Sequence, residues 1–299
     1  FLHRLLVKML CIIKEKGSKA ALVGVKGNGM MIDERFFKVE KEGPILWLIL
    51  NRPEMRNRMP LAFFDALVPA FAAIDTDPET RVVIIRAEGP CFTVGLDLAA
   101  SGTEILGDGS AFSRERFRRR ILELQASTEA VDRCRVPVIA AIHGYCVGAG
   151  VDLTSACDIR LATRDAVFSV RETRIGIVAD LGTLQRLPSL VGYGHFRELA
   201  LTGRDFAAAE ALQIGFITHL AEDREALYAE ARRLAGEIAA NPPLAVQGVK
   251  DVINYTRDHG ISQSLAYVAQ KNAAAIPSED LLEAVAAFLE KRKPQFKGR

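Results

Sequence analysis

Three short apolar runs, each closed by a proline or glycine turn, constrain the fold of this chain more than any other feature. "PILWLILNRP" (44–53), "RVVIIRAEG" (81–89) and "VPVIAAIHG" (136–144) have the continuous apolar character of buried strands. Apolar residues at helical spacing fill 60–77, and a polar, arginine-rich helix is expected at about 112–134. Strands that alternate with helices predict parallel crossovers, with functional loops at the carboxyl ends of the strands.

The pattern changes beyond Gly182, where one helical segment follows another to the C-terminus. We therefore predict a strand-rich core at 36–225 and a helical C-terminal segment at 226–299. The first 35 residues are basic, and charges interrupt each of their apolar runs. This pattern predicts a poorly structured basic extension at 1–35 rather than a membrane span or a secretory signal.

Composition and charge argue against several classes of function. The 299 residues are 49% hydrophobic and carry a formal net charge of +2, so neither nucleic-acid binding nor membrane binding is indicated. The five cysteines are widely spaced and include no C-x-x-C pair, which is typical of buried thiols in a reducing compartment and predicts no metal site. We expect a cytoplasmic protein, with an organellar location as the open alternative.

Two strands are followed by glycine turns, "EGPCFTVGLDLAA" (88–100) and "HGYCVGAGVDLTSACDIR" (143–160). In the second, Gly144, Gly148 and Gly150 precede a helix, so free backbone N–H groups and the positive end of a helix dipole face whatever lies above them. Neither turn has a dinucleotide or phosphate fingerprint. Two such turns directed at one cleft would form an oxyanion hole.

Asp180 lies in an otherwise apolar run, "RIGIVADLGTLQRL" (174–187). An ionised carboxylate that leaves water needs a partner or a raised pKa. One interpretation is that Asp180 caps the helix that follows the turn Asp-Leu-Gly-Thr. The other is that it acts together with acids earlier in the chain.

Several segments resemble, in order and spacing, the crotonase (enoyl-CoA hydratase/isomerase) superfamily. They are "NRPEMRN", "CFTVGLDL", "HGYCVGAGVDLTSACDIR", "FSVRETRIGIVADLGTLQRL", "LTGRDFAAAEALQIGFI" and "FLEKRKPQFKGR". The resemblance runs from about Phe36 to Arg299 and implies an α/β fold, a spiral of ββα units with a C-terminal helical trimerisation segment. It further implies an acyl-CoA thioester substrate, no cofactor other than the coenzyme A of that substrate, and a homotrimer or dimer of trimers.

The resemblance also implies which residues contact the substrate. The backbone N–H groups of Leu96 and Ala149 would form the oxyanion hole for the thioester carbonyl. Ala149 stands where the family often has glycine, a change that keeps the donor and adds a methyl group. Substrate contacts are implied for Val94, Gly95, Leu96, Asp97, Leu98, Ala149, Gly150 and Arg56. For Asp97 the residues alone favour a cap at a helix start.

The acids indicate the subfamily. Hydratases place two glutamates at the positions held here by Asp152 and Glu172, and are usually uncharged at the position of Asp180. Spacings of 20 and 8 residues among these acids, together with "RPEMRN", resemble the Δ3,5-Δ2,4-dienoyl-CoA isomerases. The resemblance therefore implies an isomerase that shifts a 3,5-dienoyl-CoA to a 2,4-dienoyl-CoA, with all three acids catalytic.

Such a shift removes a proton from C2 and adds one at C6, roughly 5 Å away in an extended chain. One carboxylate does not easily reach both ends, whereas two staggered carboxylates do. We expect Glu172 near C2, Asp180 near C6 and Asp152 in support. Two alternatives stay open. One is an enoyl-CoA hydratase of fatty-acid β-oxidation in which Asp180 is only a cap, and the other is a catalytically silent crotonase-like protein.

Overall fold

The computed structural model describes residues 32–299, and most of the predicted extension, residues 1–31, lies outside the described residues. The strands are β1 (Phe37–Glu42), β2 (Ile45–Leu50), β3 (Val82–Ala87), β4 (Val138–Ile142), β5 (Tyr145–Val147), β6 (Ile159–Thr163), β7 (Val167–Ser169), β8 (Asp205–Ala207) and β9 (His219–Ala221). The helices are α1 (Leu61–Thr76), α2 (Leu98–Leu106), α3 (Ala111–Asp132), α4 (Ala149–Ser155), α5 (Thr183–Val191), α6 (Tyr193–Thr202), α7 (Ala208–Gln213), α8 (Arg224–Ala239), α9 (Pro243–His259), α10 (Ile261–Ala275) and α11 (Glu279–Glu290).

A six-stranded sheet in the order β1-β2-β3-β4-β6-β9 forms the centre of the molecule. Only β1 and β2 pair in antiparallel fashion, and every other neighbouring pair in this sheet is parallel. A smaller sheet has the order β5-β7-β8. The parallel pairing agrees with the crossovers that the alternation of strands and helices predicts.

Both faces of the large sheet are covered, which explains why its strands read as unbroken apolar runs. Along β2, Leu46, Leu48 and Leu50 belong to the larger core cluster, with the buried side chains of α1. Their neighbours Ile45, Trp47 and Ile49 belong to a second cluster on the opposite face, with Leu227, Ala231 and Ala235 of α8. This alternation follows from the two-residue period of a strand.

The C-terminal helices differ from the sequence-based expectation in two places. We predicted only helices beyond Gly182, yet the short strands β8 and β9 interrupt them. Three-residue strands are too short to show a period, and β9 becomes a strand by pairing with β6. Helix α8 begins at Arg224 and packs on the large sheet, while the division of the chain at residues 225 and 226 stays a prediction.

Helices α9 to α11 leave large apolar side chains exposed, among them Val249, Ile253, Leu265, Leu282 and Phe288. The four cysteines within the described range are free and buried. In residues 32–299, no group of three His, Cys, Asp or Glu side chains is arranged to hold a metal ion. Across the same residues, no helix has the length and apolar character needed to span a bilayer.

Candidate active site

A cavity of about 160 Å³ opens between four loop segments. The first, after β3, contributes Val94–Leu96 and Leu98, and the second includes Val147–Ala149, where β5 meets α4. The third includes Arg171–Glu172, after β7, and the fourth is Asp180–Leu181, before α5. All three predicted acids line this cavity, together with the apolar side chains of Leu98, Ile175 and Ile177.

The two glycine turns lie side by side because the backbone after β3 pairs with β5. The N–H of Thr93 donates to the carbonyl of Tyr145 at 2.8 Å, and Thr93 and Cys146 form a parallel bridge. Gly95 has φ +84°, and a Cβ there would lie 2.7 Å from the carbonyl oxygen of Val147. Only glycine fits so close an approach at a positive φ.

Two backbone N–H groups at this junction line the cavity. The N–H groups of Leu96 and Ala149 make no hydrogen bond with any other described residue. Ala149 is the first residue of α4, and its preceding Gly148 has φ +55°. A helix begins with unsatisfied N–H groups and a partial positive charge, so an oxygen in the cavity can accept from both donors.

Glu172 begins the 3-10 turn Glu172–Ile175 that follows β7. Its carboxylate lies against the backbone of Gly148, where a Cβ would come within 3.3 Å of Glu172 Oε1. Its Oε2 is buried and has no hydrogen-bond partner among residues 32–299. Burial raises the pKa of Glu172 to about 7, with further contributions from the negative charges of Asp152 and Asp180.

Asp152 lies on α4 and is only 2% exposed. Its Oδ1 accepts a hydrogen bond from the backbone N–H of Thr183 at 2.8 Å. Burial raises the pKa of Asp152 to about 6, and the charge of Asp180 acts in the same direction. The hydrogen bond from Thr183 and the charge of Arg186 oppose this rise. Asp152 therefore lines the cavity and also makes a contact that fixes the start of α5.

Asp180 lies in the irregular segment Ile177–Gly182, between the 3-10 turn and α5. The interpretation that Asp180 caps the next helix is wrong. The residue at the N-cap position of α5 is Gly182, and this cap makes no side-chain hydrogen bond to the helix. The first helical N–H, that of Thr183, is bonded to Asp152 instead. Burial raises the pKa of the half-buried Asp180 carboxyl above its ordinary value.

Three predicted contact residues lie outside the cavity lining. The Asp97 carboxylate accepts from the N–H of Ala100 at 3.2 Å and caps α2, as the residues alone predicted. A Cβ at Gly150 would lie 2.4 Å from Thr93 Cγ2, so this glycine faces the packed interior. The Arg56 guanidinium lies 5.2 Å from the centre of the Tyr145 ring. Val94, Gly95 and Leu98 line the cavity as expected.

Helix α3 contributes two contacts that sequence reasoning missed. Gln125 Nε2 donates to the carbonyl of Asp180 at 2.7 Å, and Thr128 Oγ1 donates to the carbonyl of Leu181 at 2.6 Å. The partners are 55 and 53 residues apart in the chain. Neither side chain belongs to a motif, so no local signal identifies them.

Comparisons with known proteins agree with this geometry. The model of the family described as enoyl-CoA hydratase/isomerase matches residues 40–299. A protein of Arabidopsis thaliana named peroxisomal Delta(3,5)-Delta(2,4)-dienoyl-CoA isomerase is 43% identical over 259 residues, which cover 85% of this chain and 93% of the relative. One of Dictyostelium discoideum, named as the mitochondrial form, is 42% identical over 270 residues, which cover 89% of this chain and 92% of the relative.

Among solved structures, the crystal structure of enoyl-CoA hydratase from Bacillus anthracis matches with a TM-score of 0.80 and 32% identity. The match covers 88% of this chain and 99% of that chain. The predicted crotonase-like α/β fold is thus confirmed, and so is the resemblance. The chain belongs to the enoyl-CoA hydratase/isomerase family of enzymes.

Proposed function

We propose that this enzyme is a Δ3,5-Δ2,4-dienoyl-CoA isomerase. The observation that carries the proposal is that three acids, Asp152, Glu172 and Asp180, line one cavity. The same cavity holds two backbone N–H donors that have no partner within residues 32–299. The names of the two relatives described above, at 42% and 43% identity, support the same reaction. The substrate would be an acyl-CoA thioester, with coenzyme A as part of the substrate rather than as a separate cofactor.

The thioester carbonyl of the substrate accepts hydrogen bonds from the N–H groups of Leu96 and Ala149. When a proton leaves C2, negative charge moves onto this oxygen, and the two donors stabilise the resulting dienolate. One such donor typically contributes about 3 kcal/mol to transition-state stabilisation. The apolar side chains of Leu98 and Ile177 exclude water from the acyl chain, which strengthens these hydrogen bonds.

Two proton transfers complete the reaction. The Glu172 carboxylate takes a proton from C2, and the electrons of that C–H bond form the dienolate. The Asp180 carboxylic acid then protonates C6, the thioester carbonyl re-forms, and the product is conjugated. Glu172 is left protonated and Asp180 ionised, and proton exchange with water resets both. A pKa near 7 suits Glu172 as a base. Burial raises the pKa of Asp180 above its ordinary value, which is the direction that a proton donor requires.

Asp152 supports the other two acids rather than transferring a proton. Its carboxylate is bonded to the N–H of Thr183, and its charge helps to raise the pKa of Glu172. The coupled trio can thus hold one acid and one base at neutral pH, which is the state that the isomerisation requires.

Assembly and location are proposals too. The exposed apolar side chains of α9 to α11 support a homotrimer or a dimer of trimers, since a monomer seldom exposes so many of them. A cytoplasmic location stays a prediction, and the relatives named peroxisomal and mitochondrial favour the organellar alternative.

The test is an assay of the purified protein with a 3,5-dienoyl-CoA and, separately, with a 2-enoyl-CoA. The isomerase produces the absorbance of a conjugated 2,4-dienoyl thioester. Hydration of the enoyl substrate alone would make the protein a hydratase, and the absence of both reactions would make it a catalytically silent member.

The isosteric variant Asp180→Asn then tests the distal acid. It should isomerise at least about 100-fold more slowly because it has no proton to give to C6, while KM changes little. Asp165→Asn, an exposed change in the turn between β6 and β7 whose amide oxygen can still accept from the Thr163 hydroxyl, is the control that should keep the parental rate. A parental rate in Asp180→Asn would overturn the assignment of Asp180.

A further inference from the structure

The segment that carries Asp180 is held by another part of the chain. From Ile177 to Gly182 the backbone forms neither helix nor strand. Two successive carbonyls of this segment, those of Asp180 and Leu181, are hydrogen bonded to side chains of α3. The position of the Asp180 main chain therefore depends on α3 and not on regular structure of its own.

The two donors act together. Gln125 and Thr128 are three residues apart, so they lie on one face of α3, one turn from each other. Thr128 is 1% exposed, and both bonds are short, at 2.7 Å from Gln125 and 2.6 Å from Thr128. At the far end of the segment, Asp152 binds the N–H of Thr183. Three attachments, at Asp180, Leu181 and Thr183, thus fix the path of the chain into α5.

We propose that Gln125 is a positioning residue for the proton transfer at C6, an inference that rests on the proposed isomerase function. Gln125 touches no reacting atom in this scheme. It holds the main chain of Asp180, and hence the distance between that carboxyl and the acyl chain. A displacement of about 1 Å at a reacting group can cost 100-fold in rate, so a single lost anchor has a measurable effect.

Different contacts hold Glu172 and Asp180, so the effect of Gln125 on the transfer at C6 can be measured separately from the transfer at C2. Glu172 lies on the 3-10 turn after β7 and packs against Gly148, and Gln125 bonds to neither residue. Loss of the Gln125 donor should therefore impair protonation at C6 and leave proton removal at C2 intact. The dienolate then returns to the 3,5-dienoyl substrate by reprotonation at C2.

The experiment uses Gln125→Met, which keeps the length of the side chain and removes the donor. In D₂O, we expect kcat for isomerisation to fall by about tenfold or more, with KM within about twofold of the parent. Unreacted substrate should gain deuterium at C2, so that C2 exchange rises relative to isomerisation, as we also expect for Asp180→Asn. Gln213→Met makes the same chemical change at an exposed position of α7, where Gln213 has no side-chain hydrogen bond within residues 32–299, and should behave as the parent.

The outcomes of this experiment distinguish a failure of the positioning role from a failure of the proposed function. An unchanged kcat in Gln125→Met overturns the positioning role. So does a variant in which C2 exchange and isomerisation fall together, because general damage to the site, and not the loss of the distal transfer, produces that pattern. The parent protein is assayed first, and a parent that forms no 2,4-dienoyl product overturns the proposed function instead.

Discussion

Asp152 Oδ1 and the backbone N–H of Thr183 are joined by a hydrogen bond of 2.8 Å that links two walls of the cavity. Asp152 comes from the helix after the second glycine turn, whereas Thr183 begins the helix that follows Asp180. The bond gives a buried carboxylate one partner, but one partner does not replace its lost hydration. The raised pKa of Asp152 is the consequence, and it ties the stability of the protein to its active site.

Asp152→Asn should stabilise the folded protein at high pH. The amide oxygen can still accept from Thr183, and no charge is buried. In the parent, a folded pKa of about 6 lies above the ordinary 3.8, so the folded state binds more protons and loses stability as pH rises between these values. At about pH 8 the variant should exceed the parent in free energy of unfolding by up to about 3 kcal/mol, and the difference should vanish below about pH 4.

Denaturant unfolding at several pH values measures this difference. Asp152→Ala is the matched variant, because it removes the charge and also the acceptor for the Thr183 N–H. It should be less stable than Asp152→Asn at every pH. An Asp152→Asn variant that is less stable than the parent at about pH 8 would contradict the assignment of a buried, destabilising charge.

The pH dependence of catalysis should report Glu172. As the base, it must be ionised, so kcat/KM should rise with pH through about 7. Because the charge of Asp152 raises the pKa of Glu172, Asp152→Asn should move the rising limb to lower pH. The measurement is a pH–rate profile of the parent and of the variant. A rising limb that stays in place or moves to higher pH would show that the charge of Asp152 does not raise the pKa of Glu172.

Gly148→Ala should harm the site through a contact and not only through backbone strain. The new Cβ would lie 3.3 Å from Glu172 Oε1 at a residue with φ +55°. Gly43→Ala is the control, since Gly43 has φ +57° and no atom within 4 Å of its Cβ position. Both variants should lose about 1–3 kcal/mol of stability, whereas only Gly148→Ala should lose catalysis. Equal rates in the two variants would show that Glu172 does not need this glycine.

The exposed apolar face of α9 offers a test of assembly. Val249 and Ile253 are one helical turn apart and are 60% and 61% exposed. If α9 lies in an interface between copies, a double change to Asp should dissociate the assembly, because it buries charge at the contact. Sedimentation measures the mass of the assembly for the parent and for Val249→Asp/Ile253→Asp. Leu201→Asp makes the same kind of change at an exposed leucine of α6 and serves as the comparison. An unchanged assembly in the double variant would place the interface elsewhere.

Strands that are buried on both faces were predictable from the sequence. The runs at 44–53, 81–89 and 136–144 contain β2, β3 and β4, because a buried parallel strand needs continuous apolar residues. Strand β1 alternates polar residues at the edge of the sheet and is not apparent as an apolar run. The three-residue strands β5, β7, β8 and β9 depend on pairing with distant partners, which no local pattern specifies.

The candidate site also contains residues that the sequence predicted and contacts that it did not. Motifs identified Asp152, Glu172 and Asp180, and these acids share one cavity lining. The bond from Asp152 to Thr183 and the anchors from Gln125 and Thr128 were not predictable, because they join residues 31 to 55 positions apart. Motif comparison gives the chemistry of a position, whereas long-range hydrogen bonds decide how firmly that position is held.

The irregular segment before α5 has a consequence for how this scaffold can diversify. Asp180 belongs to a backbone stretch that is fastened by a few side chains and contributes to neither sheet. The proposed oxyanion hole and the proposed base, Glu172, come from other loops that line the cavity. Under the proposed function, a new reaction at the distal end of the acyl chain therefore requires changes at a handful of positions, and the loops proposed to bind the thioester can be inherited unaltered.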